Sequence, residues 1–290
     1  MLHEQEKESL DAADDENEEQ KEDESIKEYI FLIDRSGSMY NTIKLARQAL
    51  VLFLYSLPDG SKFNICSYGS RQQFMFEERS VEYNDTNLQH AVAEVESFEA
   101  DFGGTVIYEP LAKIFQRGKP ADCETSHIFL LTDGAIWDVP KVVNLVASKC
   151  SMRQRVHTFG VGHGASEELI KQCAFKGFGH FYFIYNEEEI EERVVSALTK
   201  TRLNYQIMQS IQIFDENGEE IITPLRDEAQ PLLEGSFVDL TYLLEDGQRA
   251  KSYRIEVLEP NSMSTESFEG RIMAVKSQSL ISHATTSTFK

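Results

Sequence analysis

Basic residues are scarce in this sequence: 28 lysines and arginines stand against 49 aspartates and glutamates in 290 residues, a formal net charge of −21. This scarcity argues against a nucleic-acid-binding protein, because phosphate contacts need lysine and arginine side chains. It argues equally against docking on an anionic membrane surface. No apolar run approaches membrane-spanning length, and the first residues contain no apolar segment of a signal peptide. The sequence therefore predicts a soluble protein that binds neither nucleic acid nor membranes.

Cysteine is also scarce, with four residues and no C-x-x-C pair. Four cysteines can pair in three ways, but their scattered positions do not suggest a disulfide framework. Because no signal peptide is visible, we expect free thiols in a reducing cytoplasm. The four residues are Cys66, Cys123, Cys150 and Cys173.

Apolar residues are nearly absent from residues 1–27, where glutamate and aspartate dominate. Such a segment cannot bury enough surface to offset the entropy lost on ordering, so we expect a disordered acidic tail. The simplest interpretation is a solvating tail. The alternatives are a tail that competes for a metal site and a tail that binds a basic partner.

A buried strand followed by a polar turn dominates the rest of the sequence. Residues 29–39 read YIFLIDRSGSM, and the first five are apolar, as in a strand covered on both faces of a parallel sheet. Asp34, Ser36 and Ser38 follow at its end. One carboxylate and two hydroxyls are hard oxygen ligands of the kind that Mg²⁺ or Mn²⁺ takes. Taken alone, D-x-S-x-S is also compatible with an ordinary turn that caps a helix.

Two later stretches favour the metal interpretation. Residues 102–105 read FGGT, a glycine-rich loop that presents the hydroxyl of Thr105, and residues 127–134 read HIFLLTDG, a second buried strand that leads into Asp133. The order D-x-S-x-S, G-G-T, T-D-G resembles the von Willebrand factor type A domain, over roughly residues 27–202.

This resemblance implies a metal-ion-dependent adhesion site that binds Mg²⁺ or Mn²⁺. Ser36 and Ser38 are then direct ligands, and Asp34 supplies charge and orientation. Thr105 and Asp133 are each expected to change between direct and water-mediated contact. The implied site comprises Asp34, Ser36, Ser38, Thr105 and Asp133.

Strand-like and helix-like segments alternate through residues 28–202. This pattern predicts an α/β domain of three layers, with a doubly wound, mostly parallel sheet whose ligands bind at the carboxyl ends of the strands. Residues 203–276 alternate between apolar and polar instead and predict a small antiparallel β segment, with hairpins over 207–222 and 237–258. This segment is weakly similar to that of inter-α-trypsin-inhibitor heavy-chain-like proteins. Beyond residue 259 we expect order only over 271–275, and residues 277–290 are expected to be a disordered tail.

These patterns predict a cytoplasmic, non-catalytic module that binds a partner protein through a divalent cation and an exposed Glu or Asp of that partner. A secreted heavy-chain-like fragment, a metal-free domain and a metal-dependent phosphohydrolase are the alternatives. Phosphoryl transfer requires a lysine or arginine near the ion. Arg35 is the only cation in the first loop, and its alternation with the ligating residues directs it away from them. P-loop and nucleophile-elbow motifs are absent from the sequence, so no enzyme is predicted.

Overall fold

A computed structural model describes residues 25–134, 138–202, 205–222, 230–233, 249–259 and 264–272. Most of the predicted acidic tail, the predicted strand over 237–244 and the predicted tail over 277–290 lie outside these ranges. None of the helices in the described ranges has the length and apolar character needed to cross a bilayer.

Strands and helices alternate through the first part of the chain, as predicted. Short 3-10 turns occur at Gly37–Asn41 and Glu187–Glu189. The elements are β1 (Lys27–Asp34), α1 (Ile43–Tyr55), β2 (Lys62–Tyr68), β3 (Gln72–Phe74), β4 (Val81–Glu82), α2 (Asp85–Glu96), α3 (Tyr108–Arg117), β5 (Thr125–Thr132), α4 (Val139–Lys149), β6 (Gln154–Val161), α5 (Glu167–Lys176), β7 (Phe181–Ile184) and α6 (Ile190–Arg202).

The strands of this part form one sheet in the order β3-β2-β1-β5-β6-β7, with β4 also paired to β2. The pairs within β2-β1-β5-β6-β7 are parallel, and β3 and β4 run antiparallel to β2. The predicted doubly wound, mostly parallel sheet is therefore confirmed. The chain crosses from β1 to β2 on one side and later places β5 on the other side. The carboxyl ends of β1 and β5 thus meet at a topological switch point, where such sheets bind ligands.

Both faces of β1 are buried, which explains its uninterrupted apolar sequence. Phe31 faces α1, where its ring centre lies 5.3 Å from that of Phe53 and 5.5 Å from that of Phe129 on β5. Leu32 faces the opposite side and packs in a second cluster with residues of α3, α4 and α5. Aromatic rings are concentrated in the layer that contains Phe31, and the other layer is mostly aliphatic, so β1 is packed on both sides behind Asp34.

A second, antiparallel sheet follows in the order β10-β8-β11-β12, with β9 also paired to β8. The predicted hairpin of β8 and β9 is confirmed. These strands are β8 (Tyr205–Phe214), β9 (Glu220–Ile222), β10 (Gln230–Leu233), β11 (Ser252–Glu259) and β12 (Ser264–Arg271).

The prediction of order only over 271–275 beyond residue 259 was wrong, because β12 pairs with β11 over eight residues. Its sequence, STESFEGR, has one large apolar residue, Phe268, so it lacks the alternation typical of a strand. Phe268 packs against the small buried cluster of Met208 and Val257, and Arg254 pairs with Glu269 across the strands at 2.7 Å. Pairing with β11 stabilises β12, and the sequence pattern of β12 alone does not predict a strand.

Candidate functional site

Asp34 ends β1 with no exposed surface, and three donors orient its carboxylate. The backbone N–H of Ser36 donates to Oδ1 at 2.9 Å, while Thr132 Oγ1 and Tyr68 Oη donate to Oδ2 at 2.7 and 3.3 Å. Burial raises the pKa of Asp34, hydrogen bonds from Ser36 and Thr132 oppose the rise, and the nearby charge of Asp133 adds to it. The site therefore holds a fixed, poorly hydrated acidic group.

The hydroxyl oxygens of Ser36 and Ser38 lie 2.9 Å apart. Ser36 occupies the N-cap position of the first 3-10 turn, but its side chain makes no capping hydrogen bond. The motif therefore does not use this hydroxyl as a helix cap. Ser36 is buried and Ser38 is exposed, so the pair runs from the interior to the surface. Adjacent ligands of an octahedral Mg²⁺ with bonds of about 2.0–2.1 Å are about 2.9 Å apart, so this spacing fits the ion.

The loop that carries Thr105 is bonded to the D-x-S-x-S loop. Gly37 N–H donates to Gly103 O at 2.7 Å, and Phe102 N–H donates to Arg35 O at 2.9 Å. Gly104 N–H donates to Ser70 Oγ at 2.7 Å. Thr105 itself is half-buried, one residue beyond these contacts.

Asp133 follows β5 and is 8% exposed. Its carbonyl accepts a 3.0 Å hydrogen bond from Ser166 N–H, and the N–H of the following Gly134 donates to Thr132 Oγ1 at 2.8 Å. Gly134 has φ +68°, and a Cβ at this position would lie 2.8 Å from Ser166 Cβ. Only glycine fits this turn without displacement. The turn thus fixes Asp133 beside the end of β5.

The structure brings the five predicted site residues to the carboxyl ends of neighbouring strands. Asp34, Ser36 and Ser38 form one hydrogen-bonded unit, Asp133 is near enough to influence Asp34, and Thr105 belongs to the loop bonded to Gly37. Their hydroxyl and carboxylate oxygens suit Mg²⁺ or Mn²⁺. In the described part of the chain, His, Cys, Asp and Glu do not gather in threes that could hold a metal. Any ion here thus depends on the hydroxyl ligands.

Sequence reasoning missed Tyr68 and Thr132, the two side chains that orient Asp34. Each is the last residue of a strand, β2 or β5, on either side of β1. A hydroxyl at the end of an apolar strand was the available signal. This signal points to contacts with Asp34 only when the strand order is known, because the order places β2 and β5 on either side of β1.

Arg35 points away from the ligand residues, as predicted. Its Nη2 donates to Asp101 Oδ1 at 2.6 Å, and its Nε donates to the carbonyl of Glu99 at 2.9 Å. The guanidinium is therefore occupied outside the D-x-S-x-S loop.

Comparison with known proteins agrees with this fold. The sequence pattern of the family described as the von Willebrand factor type A domain matches residues 27–183, more than half of the chain. The chain belongs to this family. Membership in this family indicates a protein–protein interaction module.

Two relatives of this von Willebrand factor type A chain illustrate the similarity. Human von Willebrand factor A domain-containing protein 5A is 34% identical over 184 residues, which are 60% of this chain and 23% of that protein. A von Willebrand factor A domain-containing protein of Dictyostelium discoideum is 37% identical over 174 residues, 59% of this chain and 19% of that protein. The chain therefore spans less than a quarter of the length of these relatives.

A solved structure supports the same fold. The von Willebrand factor type A protein from Catenulispora acidiphila superimposes with a TM-score of 0.59 at 16% identity, covering 85% of this chain and 66% of that one. At this identity the likeness concerns the fold alone.

Proposed function

We propose that this von Willebrand factor type A domain is a non-catalytic protein-binding module that holds Mg²⁺ or Mn²⁺ and binds a carboxylate of a partner protein. The ligands of the proposed metal-ion-dependent adhesion site are Asp34, Ser36, Ser38, Thr105 and Asp133. The observation that carries the proposal is the pair of serine hydroxyls 2.9 Å apart beside the oriented carboxylate of Asp34.

The charge of the site explains why the partner group is a carboxylate. Asp34 and Asp133 are its only predicted carboxylates, and hydrogen bonds already occupy both oxygens of Asp34. A bound divalent ion would supply positive charge that these residues do not fully balance. Ser38 is exposed, so the site is open to solvent on that side. A Glu or Asp of a partner then provides the missing negative charge.

The position of Arg35 supports a binding role over phosphoryl transfer. Phosphoryl transfer requires a cation near the reacting oxygens. The guanidinium of Arg35 is bonded to Asp101 and to the carbonyl of Glu99 instead. We therefore propose a module without enzymatic activity.

Calorimetric titration of Mg²⁺ and Mn²⁺ into the whole chain tests the proposed site. Asp34→Ala should remove most of the affinity, because it deletes the carboxylate behind the two serines. Asp133→Ala should reduce it less if that contact runs through water. Asp59→Ala, an exposed residue in the turn before β2, is the matched control and should bind like wild type. Absence of binding by the wild type at millimolar ion would disprove the proposal.

Affinity capture from a lysate with and without EDTA tests the partner role. Proteins held through the ion should be released by EDTA and should not bind to the Asp34→Ala variant. A phosphate ester assay tests the enzymatic alternative. Turnover that needs both the ion and Asp34 would replace the binding role with a hydrolase role.

We propose a cytoplasmic location for the chain. All four cysteines lie within the described residues and are unpaired, and three of them are buried, which supports the proposal. After denaturation without reductant, a thiol reagent should label all four. Labelling of none, which means two disulfides, would favour the secreted heavy-chain-like alternative.

A further inference from the structure

The side chain of Arg35 is enclosed between two aromatic rings. Its Cζ lies 4.4 Å from the ring centre of Phe98 and 4.2 Å from that of Phe102. Both rings are buried, and the arginine side chain is 11% exposed. With the hydrogen bonds to Asp101 and Glu99, the guanidinium has partners on its faces and along its edge. Such an enclosed cation is held in one orientation.

The backbone of Arg35 is fixed as firmly as its side chain. Its N–H donates to Tyr68 O at 2.8 Å, and its carbonyl accepts from Phe102 N–H at 2.9 Å. Arg35 stands between Asp34 and Ser36, two of the proposed ligand residues. A shift of this residue therefore moves the ligands on both sides of it.

The segment that holds the side chain leads directly into the second ligand loop. Residues 98–102 contribute both rings, the Glu99 carbonyl and the Asp101 carboxylate, and Gly103, Gly104 and Thr105 come next. The two loops meet again at Gly37 N–H and Gly103 O, 2.7 Å apart. Arg35 is thus the side chain that joins the D-x-S-x-S loop to the segment before Thr105.

We propose that Arg35 is a positioning residue for the metal site, and that the arginine clamp, defined as Arg35, Phe98, Asp101 and Phe102, sets the position of Ser36 and Ser38 relative to Thr105. This inference rests on the proposed function of the site. The clamp requires arginine, because a lysine ammonium lacks the planar fork that stacks between rings and donates to two oxygens at once. The clamp aligns the two ligand loops and does not itself contact the ion.

If the clamp only stabilised the fold, breaking it would lower stability without a specific loss of Mg²⁺ affinity. A second ion pair, away from the site, provides the control that distinguishes the two roles. Lys62 and Asp122 are 2.5 Å apart with side-chain exposures of 21% and 54%, close to the 2.6 Å, 11% and 53% of Arg35 and Asp101. Lys62 begins β2, at the end of the sheet opposite to Asp34. Asp122→Asn therefore breaks a comparable pair far from the site.

The experiment compares Arg35→Lys, Asp101→Asn and Asp122→Asn in the whole chain, by urea unfolding and by calorimetric titration of Mg²⁺. We expect small losses of stability in all three. Because a shift of Arg35 also moves Asp34 and Ser36, Mg²⁺ affinity should fall about 10-fold in Arg35→Lys and several-fold in Asp101→Asn, in the range of lost supporting contacts around metal ligands. Asp122→Asn should bind Mg²⁺ like wild type. Wild-type affinity in both clamp variants, with reduced stability, would overturn the proposal.

Amide hydrogen exchange provides a readout that needs no metal. The N–H of Gly37 bonds between the two ligand loops, and the N–H of Gly104 holds the second loop to Ser70 Oγ. The exchange of both should accelerate in Arg35→Lys and Asp101→Asn but not in Asp122→Asn. If the wild type binds no Mg²⁺, the proposed function fails, and the exchange data still decide the clamp. Accelerated exchange would then support loop positioning, and unchanged exchange would overturn it. If Arg35→Lys does not fold, both measurements are made on Asp101→Asn.

Discussion

Thr132 Oγ1 donates a 2.7 Å hydrogen bond to Asp34 Oδ2, which joins the carboxyl ends of the two central strands. The same hydroxyl oxygen accepts from Gly134 N–H at 2.8 Å. One side chain therefore orients the buried carboxylate on β1 and the turn that carries Asp133. Since both proposed carboxylate ligands depend on this hydroxyl, its removal should affect the site more than a single lost hydrogen bond suggests.

Thr132→Val should lower stability and weaken Mg²⁺ binding together. A hydrogen bond to a charged group contributes about 1.5–3 kcal/mol, so urea unfolding should show a loss in that range. Thr158→Val is the matched control, because Thr158 is equally buried on β6 and its hydroxyl donates to Ile170 O at 2.7 Å. The control should lose stability but retain wild-type Mg²⁺ affinity. Equal Mg²⁺ affinities in both variants would exclude a role for Thr132 in the site.

Thr105→Ala should separate ion binding from partner binding. Its hydroxyl is expected to matter most when the partner is engaged, so Mg²⁺ affinity by calorimetry should stay close to wild type. The amount of EDTA-released protein captured from a lysate should fall several-fold. Thr86→Ala, at an exposed position of α2, should change neither quantity. Loss of Mg²⁺ binding in Thr105→Ala would instead show that Thr105 contacts the ion before any partner binds.

The parallel sheet could be predicted because strands buried on both faces, such as β1 and β5, have continuous apolar sequences between polar turns. The motif residues could be located because each follows such a strand or a glycine pair. Strand order was not needed for either step. These parts of the chain encode their structure locally.

The contacts around Asp34 and Arg35 could not be predicted, because they join residues far apart in sequence. Tyr68 reaches Asp34 only since β2 lies beside β1, and Phe98 reaches Arg35 through the segment after α2. Strand β12 was missed for a similar reason, since its pairing with β11 outweighs its polar sequence. In each case the deciding interaction is tertiary.

Gly134→Ala should destabilise the domain more than Gly60→Ala. Both glycines have positive φ, +68° and +75°, but a Cβ at residue 60 meets nothing within 4 Å, whereas at residue 134 it lies 2.9 Å from Ser166 N. The left-handed backbone costs an alanine about 1–2 kcal/mol at either position. The clash should add about 1–3 kcal/mol at Gly134. Urea unfolding measures this difference, and equal losses would contradict the close approach to Ser166.

Displacement of Ser166 should also disturb the proposed metal site, because its N–H donates to the carbonyl of Asp133 at 3.0 Å. Mg²⁺ affinity should therefore fall in Gly134→Ala and remain unchanged in Gly60→Ala. Calorimetry on the two variants tests this directly. Wild-type affinity in Gly134→Ala would show that the turn tolerates the shift.

A chain of hydrogen bonds fixes two buried histidines in their neutral form. The backbone N–H of His180 donates to His157 Nδ1 at 3.2 Å, so neutral His157 carries its proton on Nε2. That proton is donated to His127 Nδ1 at 3.1 Å, and His127 Nε2 then donates to Thr125 Oγ1 at 3.0 Å. Protonating His157 on Nδ1 would place that N–H against the backbone N–H of His180, and protonating His127 on Nδ1 would place it against the Nε2–H of His157. Burial and the charge of Arg155 accordingly hold the pKa of both histidines well below its usual value.

Stability should therefore fall on mild acidification. The unfolded chain protonates these histidines near pH 6.5, whereas the folded chain does not, so their contribution is present above that pH and is lost below it. Each should cost about 2 kcal/mol between pH 7.5 and pH 5.0, given an unfolded pKa of about 6.5. Glu28, whose pKa burial raises, acts in the opposite direction, so wild type must be compared with the double variant His127→Phe, His157→Phe. Urea unfolding at the two pH values should show a much smaller loss in the double variant, and an equal loss would mean that these histidines are charged in the folded state.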